Sequence, residues 1–112
     1  MIAFLHGELA SKDANRVVVD VSGVGYLLEI PPGSEHELPD VGSEVKFYTH
    51  YYIREKEVKL YGFWSLDELK VFTIAITVKG IGPALALNIV SKLTPPQFRQ
   101  AILAENHAAL MR

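Results

Sequence analysis

Residues 77–83 read Thr77-Val78-Lys79-Gly80-Ile81-Gly82-Pro83, a glycine-rich stretch between two segments of helical periodicity. Pro83 suits the first position of a helix, where its missing N–H has no partner to lose, and the two glycines suit a tight connection. Apolar residues recur three and four positions apart on both sides: Leu66, Leu69, Val71, Phe72, Ile74 and Ala75 before it, and Leu85, Ile89, Val90 and Leu93 after it. The stretch therefore predicts two helices joined by a hairpin.

The start of the second helix also offers a place for an anion. Unpaired N–H groups at a helix N-terminus, together with the helix dipole, favour a negatively charged group, and a DNA phosphate is the obvious candidate. The same G-x-G pattern also occurs in hairpins that are only structural. The spacing by itself leaves both interpretations open.

Composition bounds the class of protein. The chain has 112 residues, 49% of them hydrophobic, which is enough for one ordinary domain or two very small ones. It has no cysteine for disulfides or thiolate metal sites, no apparent signal peptide and no apolar run of membrane-spanning length. We therefore expect a globular protein of the cytoplasm.

Charge is distributed unevenly along the chain. The formal net charge is -2, which argues against a uniformly basic nucleic-acid-binding protein. Residues 1–64 carry ten acidic residues against six Lys and Arg, whereas residues 65–112 carry three against five. The second half is thus the half suited to phosphate.

The first 64 residues predict a barrel. Alternating, β-branched or aromatic segments separated by turn residues indicate five short strands, at Ile2–Leu9, Arg16–Val21, Tyr26–Ile30, Glu44–Ile53 and Val58–Trp64. The polar segment 34–42 has room for one helical turn between the third and fourth. Such a pattern is typical of a small antiparallel barrel, of OB type or, less specifically, SH3-like.

From Ser65 onward the periodicity becomes helical. Ser65 followed by Glu68 indicates a capping box, Thr94-Pro95 opens another helix, and residues 106–112 resemble the beginning of a further one. The sequence thus predicts an α+β protein with a barrel domain at 1–64 and a helical domain at 65–112. The helical part is small for a core of its own, so we expect it to lean on the barrel or on another copy of the chain.

The residues do not form a recognisable catalytic pattern. The histidines His6, His36, His50 and His107 are scattered without metal-ligand spacing, the serines lack a nucleophile elbow, and there is no G-K-[ST] phosphate loop. Glycosylases with a glycine hairpin need a catalytic Asp or Lys in a base pocket, but Glu105 is the only acid after this hairpin. We expect a non-catalytic protein without metal or cofactor.

Aromatic residues concentrate in the last two strands: Phe47, Tyr48, Tyr51, Tyr52, Tyr61, Phe63 and Trp64. They suit a stacking platform for single-stranded nucleic acid, yet strand alternation assigns about half of them to the core. The adjacent Tyr51 and Tyr52 must face opposite sides, so we expect one of them to be exposed. The acidic charge of this half weakens the single-strand interpretation.

The order of motifs resembles one family, RuvA, the Holliday-junction-binding subunits of bacterial branch migration. The most specific combination is Leu60-Tyr61-Gly62-Phe63 followed by Gly80-Ile81-Gly82-Pro83. The other matching pieces, in family order over nearly the whole chain, are Met1-Ile2 with Gly7, Gly23-Val24-Gly25-Tyr26, Glu37-Leu38-Pro39, Thr49-His50-Tyr51-Tyr52-Ile53-Arg54-Glu55 and Leu85-Ala86-Leu87.

The resemblance implies an OB-type barrel, helix-hairpin-helix motifs, and a homotetramer that holds a four-way DNA junction flat during recombination and repair. It implies that the N–H groups of Gly80-Ile81-Gly82 and the residues just after Pro83 grip duplex phosphates without reading sequence, while Lys79 adds a cation. Ala84 stands where family members commonly have a lysine. The partners implied for full-length members are the motor ATPase RuvB and the resolvase RuvC.

The charged tip between the fourth and fifth strands also gains a role from the resemblance. Family members carry two adjacent acids there, a pin that repels phosphates at the junction crossover. Here Glu55 occupies the first position, Lys56 replaces the second acid, and Glu57 follows. Alternating charges are also what an ordinary solvated tip carries. We hypothesise a weaker or displaced pin in which Glu57 partly substitutes.

Relatives continue with a second glycine hairpin and a small C-terminal domain that contacts RuvB, whereas this sequence stops at Arg112. We therefore expect a piece of a longer protein, with weakened DNA binding and no motor coupling. Two alternatives stay open: an oligomerisation or protein-interaction module whose hairpin is structural, and a single-stranded nucleic-acid-binding OB domain.

Overall fold

The computed structural model describes residues 1–92, which form a closed five-stranded barrel followed by two helices. The elements are β1 (Phe4–Lys12), β2 (Arg16–Val21), β3 (Val24–Glu29), a 3-10 turn (Ser34–Glu37), β4 (Glu44–Arg54), β5 (Glu57–Phe63), α1 (Leu66–Ala75) and α2 (Pro83–Lys92). The α+β class and the OB-type barrel are confirmed. The predicted helices at Thr94-Pro95 and at 106–112, with Glu105 and His107, lie outside the described residues.

The barrel closes in the order β1-β2-β3-β5-β4, with β4 pairing back to β1. All neighbours are antiparallel except β3 and β5, which run parallel and meet in register at Glu29 and Tyr61. Gly62 permits this contact, because a Cβ at that position would lie 2.8 Å from the Cδ1 atom of Leu28 on β3. A residue with a side chain there would force the buried Leu28 side chain to shift.

Several strand boundaries differ from the sequence prediction by one to three residues, and only β2 matches it at both ends. β1 continues to Lys12, past its predicted end at Leu9, because a register shift between Leu9 and Ser11 restores its pairing with β2. The Lys12 ammonium then donates to the carbonyl of Pro39 at 3.1 Å, which fixes the strand end.

The third strand also starts earlier than predicted. Only Ser22 and Gly23 form the turn between β2 and β3, and Val24 and Gly25 already belong to β3. The N–H of Gly23 donates to Asp20 Oδ1 at 2.8 Å, so the reversal is complete within two residues.

Strand alternation fills the barrel interior. Inward positions carry aliphatic and aromatic side chains, and the outward neighbours are largely polar. The buried cluster consists of Leu5, Leu9, Val17, Val19, Leu28, Ile30, Leu38, Val45 and Phe47. No helix residue is needed to close this cluster.

A second buried cluster joins the barrel to the helices. It combines Tyr61 and Phe63 of β5 with Val71, Phe72 and Ala75 of α1 and Ala86, Leu87 and Val90 of α2. The Phe72 ring is fully buried, with its centroid 4.9 Å from that of Phe63 and 5.0 Å from that of Tyr61. The helices therefore share their core with the barrel wall.

The start of α1 carries the predicted cap. Ser65 Oγ accepts the N–H of Glu68 at 3.2 Å, while Glu68 Oε1 accepts the N–H of Trp64 at 3.0 Å. Burial raises the pKa of the Glu68 carboxyl, an effect that the hydrogen bonds from the backbone oppose. Within residues 1–92, neither helix is long and apolar enough to cross a membrane.

We predict that Phe72→Ala lowers the free energy of unfolding by about 3 to 5 kcal/mol, because it leaves a cavity between barrel and helices. Ile74→Ala on the same helix is the matched control. Ile74 is 45% exposed, so its truncation should cost less than about 1 kcal/mol. Chemical denaturation followed by circular dichroism measures both, and equal losses would contradict the assigned role of Phe72.

Candidate nucleic-acid interface

The connection between α1 and α2 is a seven-residue hairpin, 76–82, built from two successive turns. Ile76 N–H still bonds to the carbonyl of Phe72 at 3.1 Å, which completes α1. Ile81 N–H then donates to the carbonyl of Val78 at 3.1 Å, and Gly80 between them has a φ of 91°. This left-handed conformation explains the glycine at position 80, since other residues are strained there.

The hairpin leaves several backbone donors unpaired. Ala86 N–H makes the first helical bond of α2, to the carbonyl of Gly82 at 2.9 Å, and Pro83 has no N–H. In the hairpin and the first turn of α2, the N–H groups of Lys79, Gly80, Gly82, Ala84 and Leu85 have no acceptor among residues 1–92. Glycine at position 82 provides no side chain to cap them, so the positive end of α2 is open to an anion.

The residues of the predicted phosphate site divide into exposed residues and one that anchors the hairpin. Lys79, Gly80, Gly82 and Ala84 are exposed, whereas Ile81 is half-buried against the second cluster. Ile81 therefore anchors the hairpin, and its own N–H is engaged in the turn. Lys79 makes no ion pair within the described part of the chain, which leaves its charge available.

The tip between β4 and β5 is a two-residue turn. Arg54 pairs with Glu57 across the hairpin, and Glu55 and Lys56 form the exposed turn itself. The Arg54 guanidinium lies 4.2 Å from the centroid of the Tyr52 ring, which draws that positive charge away from the tip.

Glu57 differs from Glu55 in its surroundings. Lys59 Nζ lies 3.0 Å from Glu57 Oε1 and 3.7 Å from Glu29 Oε1, so the carboxylate of Glu57 is partly neutralised. Glu55 has no ion-pair partner among residues 1–92. Of the two acids, Glu55 is the one whose charge faces solvent without compensation.

The sequence did not identify Glu29 and Lys59 as neighbours of Glu57. Glu57 and Lys59 alternate on one face of β5, a spacing visible in the sequence, but nothing local indicates that Glu29 joins them. The parallel contact between β3 and β5 brings it there. Burial, with a contribution from the charge of Glu29, raises the pKa of the neighbouring Tyr61.

The aromatic residues predicted in the last two strands divide between the core and the surface, where Trp64 is exposed. Phe47, Tyr61 and Phe63 are buried in the two clusters, as alternation predicts for about half of the set. Tyr51 and Tyr52 are both half-buried, so the expected exposed tyrosine is not found. Tyr52 contacts the Arg54 guanidinium and packs edge-on against Tyr61, with 5.8 Å between the centroids of the two rings.

His50 lies at the seam between barrel and helices. Its ring centroid is 5.5 Å from that of Phe72, and burial together with the nearby charge of Arg54 lowers the pKa of His50 from its ordinary value of 6.5. The lowered pKa favours the neutral imidazole at neutral pH.

Residues 1–62 match the family model described as RuvA N terminal domain. Full-chain comparison finds similar proteins named Holliday junction branch migration complex subunit RuvA. That of Chlorobaculum tepidum is 42% identical over 98% of this chain and 55% of its own length. That of Lachnospira eligens is 43% identical over 98% of this chain and 53% of its own length. That of Shewanella halifaxensis is 41% identical over 100% of this chain and 55% of its own length. The chain spans about half the length of the curated relatives it matches.

We predict that Gly80→Ala costs about 1 to 2 kcal/mol of folding free energy, because a Cβ is strained at a φ of 91°. Gly80→Asn should lose less, since asparagine tolerates this conformation. Gly82→Ala is the positional control, because Gly82 has no positive φ and no neighbouring atom within 4 Å of a Cβ. Thermal denaturation that ranks Gly82→Ala as the most damaging variant would contradict the turn assignment.

Proposed function

The chain belongs to the family of RuvA N-terminal domains, and on that premise we propose that it binds four-way DNA junctions as the scaffold subunit of a branch-migration complex in homologous recombination and repair. The observation that carries the proposal is the exposed hairpin at 79–84, where backbone donors without acceptors among residues 1–92 lie at the positive end of α2. The names of the similar proteins support it.

The hairpin suits a phosphate rather than a base. The N–H groups of Gly80, Gly82 and Ala84, with that of Leu85, supply hydrogen-bond donors near one helix end, and Lys79 adds an exposed cation. Backbone donors that contact phosphate fix the position of DNA without reading sequence. In this assignment Ile81 anchors the loop in the protein and Ala84 contributes only its backbone.

The tip between β4 and β5 supplies the second element of the proposal. The Glu55 carboxylate, which has no ion-pair partner among residues 1–92, repels phosphates and so favours the open centre of a junction over continuous duplex. Lys56 and the neutralised Glu57 make this pin weaker than two adjacent acids would. The sequence suggested that Glu57 takes the role of the missing second acid. Its ion pair with Lys59 limits that role.

The proposed assembly is a homotetramer in the cytoplasm, with a barrel domain at 1–64 and a helical domain at 65–112. The protein is non-catalytic in this proposal, and the energy for branch migration comes from RuvB, because the sequence has no G-K-[ST] loop. RuvC is the partner that resolves the junction. Subunit names that refer to a complex support an assembly of several proteins.

The alternative of an assembly module has its own supporting observation. Leu27, Ile53 and Val58 are each more than half exposed, and Leu27 and Val58 line a cavity of about 450 Å³ on the barrel. Exposed apolar groups of this kind often mark protein contacts. A module of this type needs no DNA, so DNA affinity separates the two functions.

We expect this chain to bind a synthetic four-way junction more tightly than duplex of equal length in a gel-shift assay. Affinity should fall steeply between 50 and 200 mM salt, because phosphate contacts release counterions. Lys79→Gln should reduce the slope of log affinity against log salt by about one per binding subunit. Solution mass is measured in parallel, and competition with oligothymidine tests the single-strand alternative. An assembled protein that ignores DNA at low salt would favour the assembly module.

The pin makes a separate prediction. Glu55→Lys should lower the preference for junction over duplex roughly fivefold, because a cation attracts the phosphates that the carboxylate repels. Lys56→Glu is the matched control with the opposite charge change, and it should raise the preference. Unchanged junction selectivity in both variants would remove the pin from the proposed function while leaving phosphate binding by the hairpin intact.

A further inference from the structure

A cleft of about 220 Å³ lies between the barrel wall and the first turn of α2. Pro83 and Ala84 line its helical side, and Glu29, Glu57 and Lys59 line its barrel side. Ala84 is also one of the residues whose N–H has no acceptor within residues 1–92. Charged groups of the barrel therefore share a cleft with the proposed phosphate site.

The charges of the barrel wall are arranged around Lys59. Its Nζ lies 3.0 Å from Glu57 Oε1 and 3.7 Å from Glu29 Oε1. The hydrogen bond to Glu57, followed by the charge of Glu29, raises the pKa of Lys59, so the ammonium is held in its charged form. With Lys59 the wall carries a net charge of -1, and without it two carboxylates would face the cleft uncompensated.

These carboxylates oppose the function of the hairpin. A phosphate at the N-terminus of α2 is attracted by backbone donors but repelled by negative charge across a narrow cleft. Ala84 brings no cation to the helical side of the cleft. Among the residues that line the cleft, Lys59 is the one that carries a positive charge.

We propose that Lys59 is a positioning residue of the DNA interface: by bridging Glu29 and Glu57 it neutralises the barrel wall and lets a phosphate reach the hairpin donors. This inference rests on the proposed function. Lys59 acts here through the two carboxylates and not as a phosphate ligand, because its ammonium is already engaged by both.

The test measures junction affinity of the whole chain at low salt. Lys59→Gln should weaken binding roughly threefold to fivefold, and Glu29→Gln combined with Glu57→Gln should strengthen it. Adding Lys59→Gln to that double variant should then change little, because no carboxylates remain to be neutralised. Lys59→Arg keeps both ion pairs and should retain affinity, which separates loss of charge from loss of folding.

Lys46→Gln is the matched control, since it removes the same charge from the barrel. Lys46 lies on β4, where its ammonium is 4.5 Å from the centroid of the Phe4 ring, and it is not among the residues that line the cleft. Its replacement should weaken binding less than that of Lys59. Thermal denaturation checks that each variant is folded.

The outcomes distinguish this inference from the function on which it rests. If the unmodified chain shows no salt-sensitive DNA binding, the proposed function fails, and the role of Lys59 fails with it. The second outcome is that the unmodified chain binds, but the affinity of Lys59→Gln equals that of the unmodified chain or that of Lys46→Gln. In that case only the role of Lys59 is overturned. An undiminished effect of Lys59→Gln in the Glu29→Gln, Glu57→Gln background would overturn neutralisation in favour of direct contact.

Discussion

The packing of the Phe72 ring against Phe63 and Tyr61 is the contact on which the placement of both helices and of the hairpin between them depends. It holds α1 on the outer face of β5, with centroid distances of 4.9 and 5.0 Å, and α2 completes the same cluster through Ala86 and Leu87. Because the hairpin at 76–82 connects these two helices, its position relative to the barrel follows from this packing. A short pair of helices obtains from the barrel the apolar surface that it cannot supply itself.

Strand β5 serves both halves of the molecule. Leu60 packs against the barrel cluster, while Tyr61 and Phe63 belong to the cluster shared with the helices. Gly62 lies between them and allows the close approach of β5 to Leu28. The segment 60–63 therefore closes the barrel and supports the helices at the same time, which places strict demands on residue size at each of its positions.

Negatively charged groups of the barrel lie close to the positive end of α2, since Glu57 and Ala84 line the same cleft. The barrel half is rich in acids, and its tip presents Glu55 without a partner among residues 1–92. The hairpin presents N–H groups without acceptors and a Lys79 ammonium without an ion pair, both within residues 1–92. In the proposed function, attraction at the hairpin and repulsion at the tip together favour one placement of a polyanion over others. Within this arrangement the ion pairs of Lys59 decide how negative the cleft beside Ala84 is.

The sequence by itself determined the features that depend on neighbours along the chain. Period-two alternation located the five strands, Ser65 and Glu68 marked the start of α1, and Pro83 after Gly82 marked the start of α2. The residues of the proposed phosphate site were named together because they are contiguous in the sequence. Only the tertiary structure decided that Ile81 is an anchor, that both Tyr51 and Tyr52 are half-buried, and that Lys59 joins Glu57 to Glu29. The physical reason is that these properties arise from contacts between distant segments, above all the parallel closure of β3 on β5, which local periodicity does not encode.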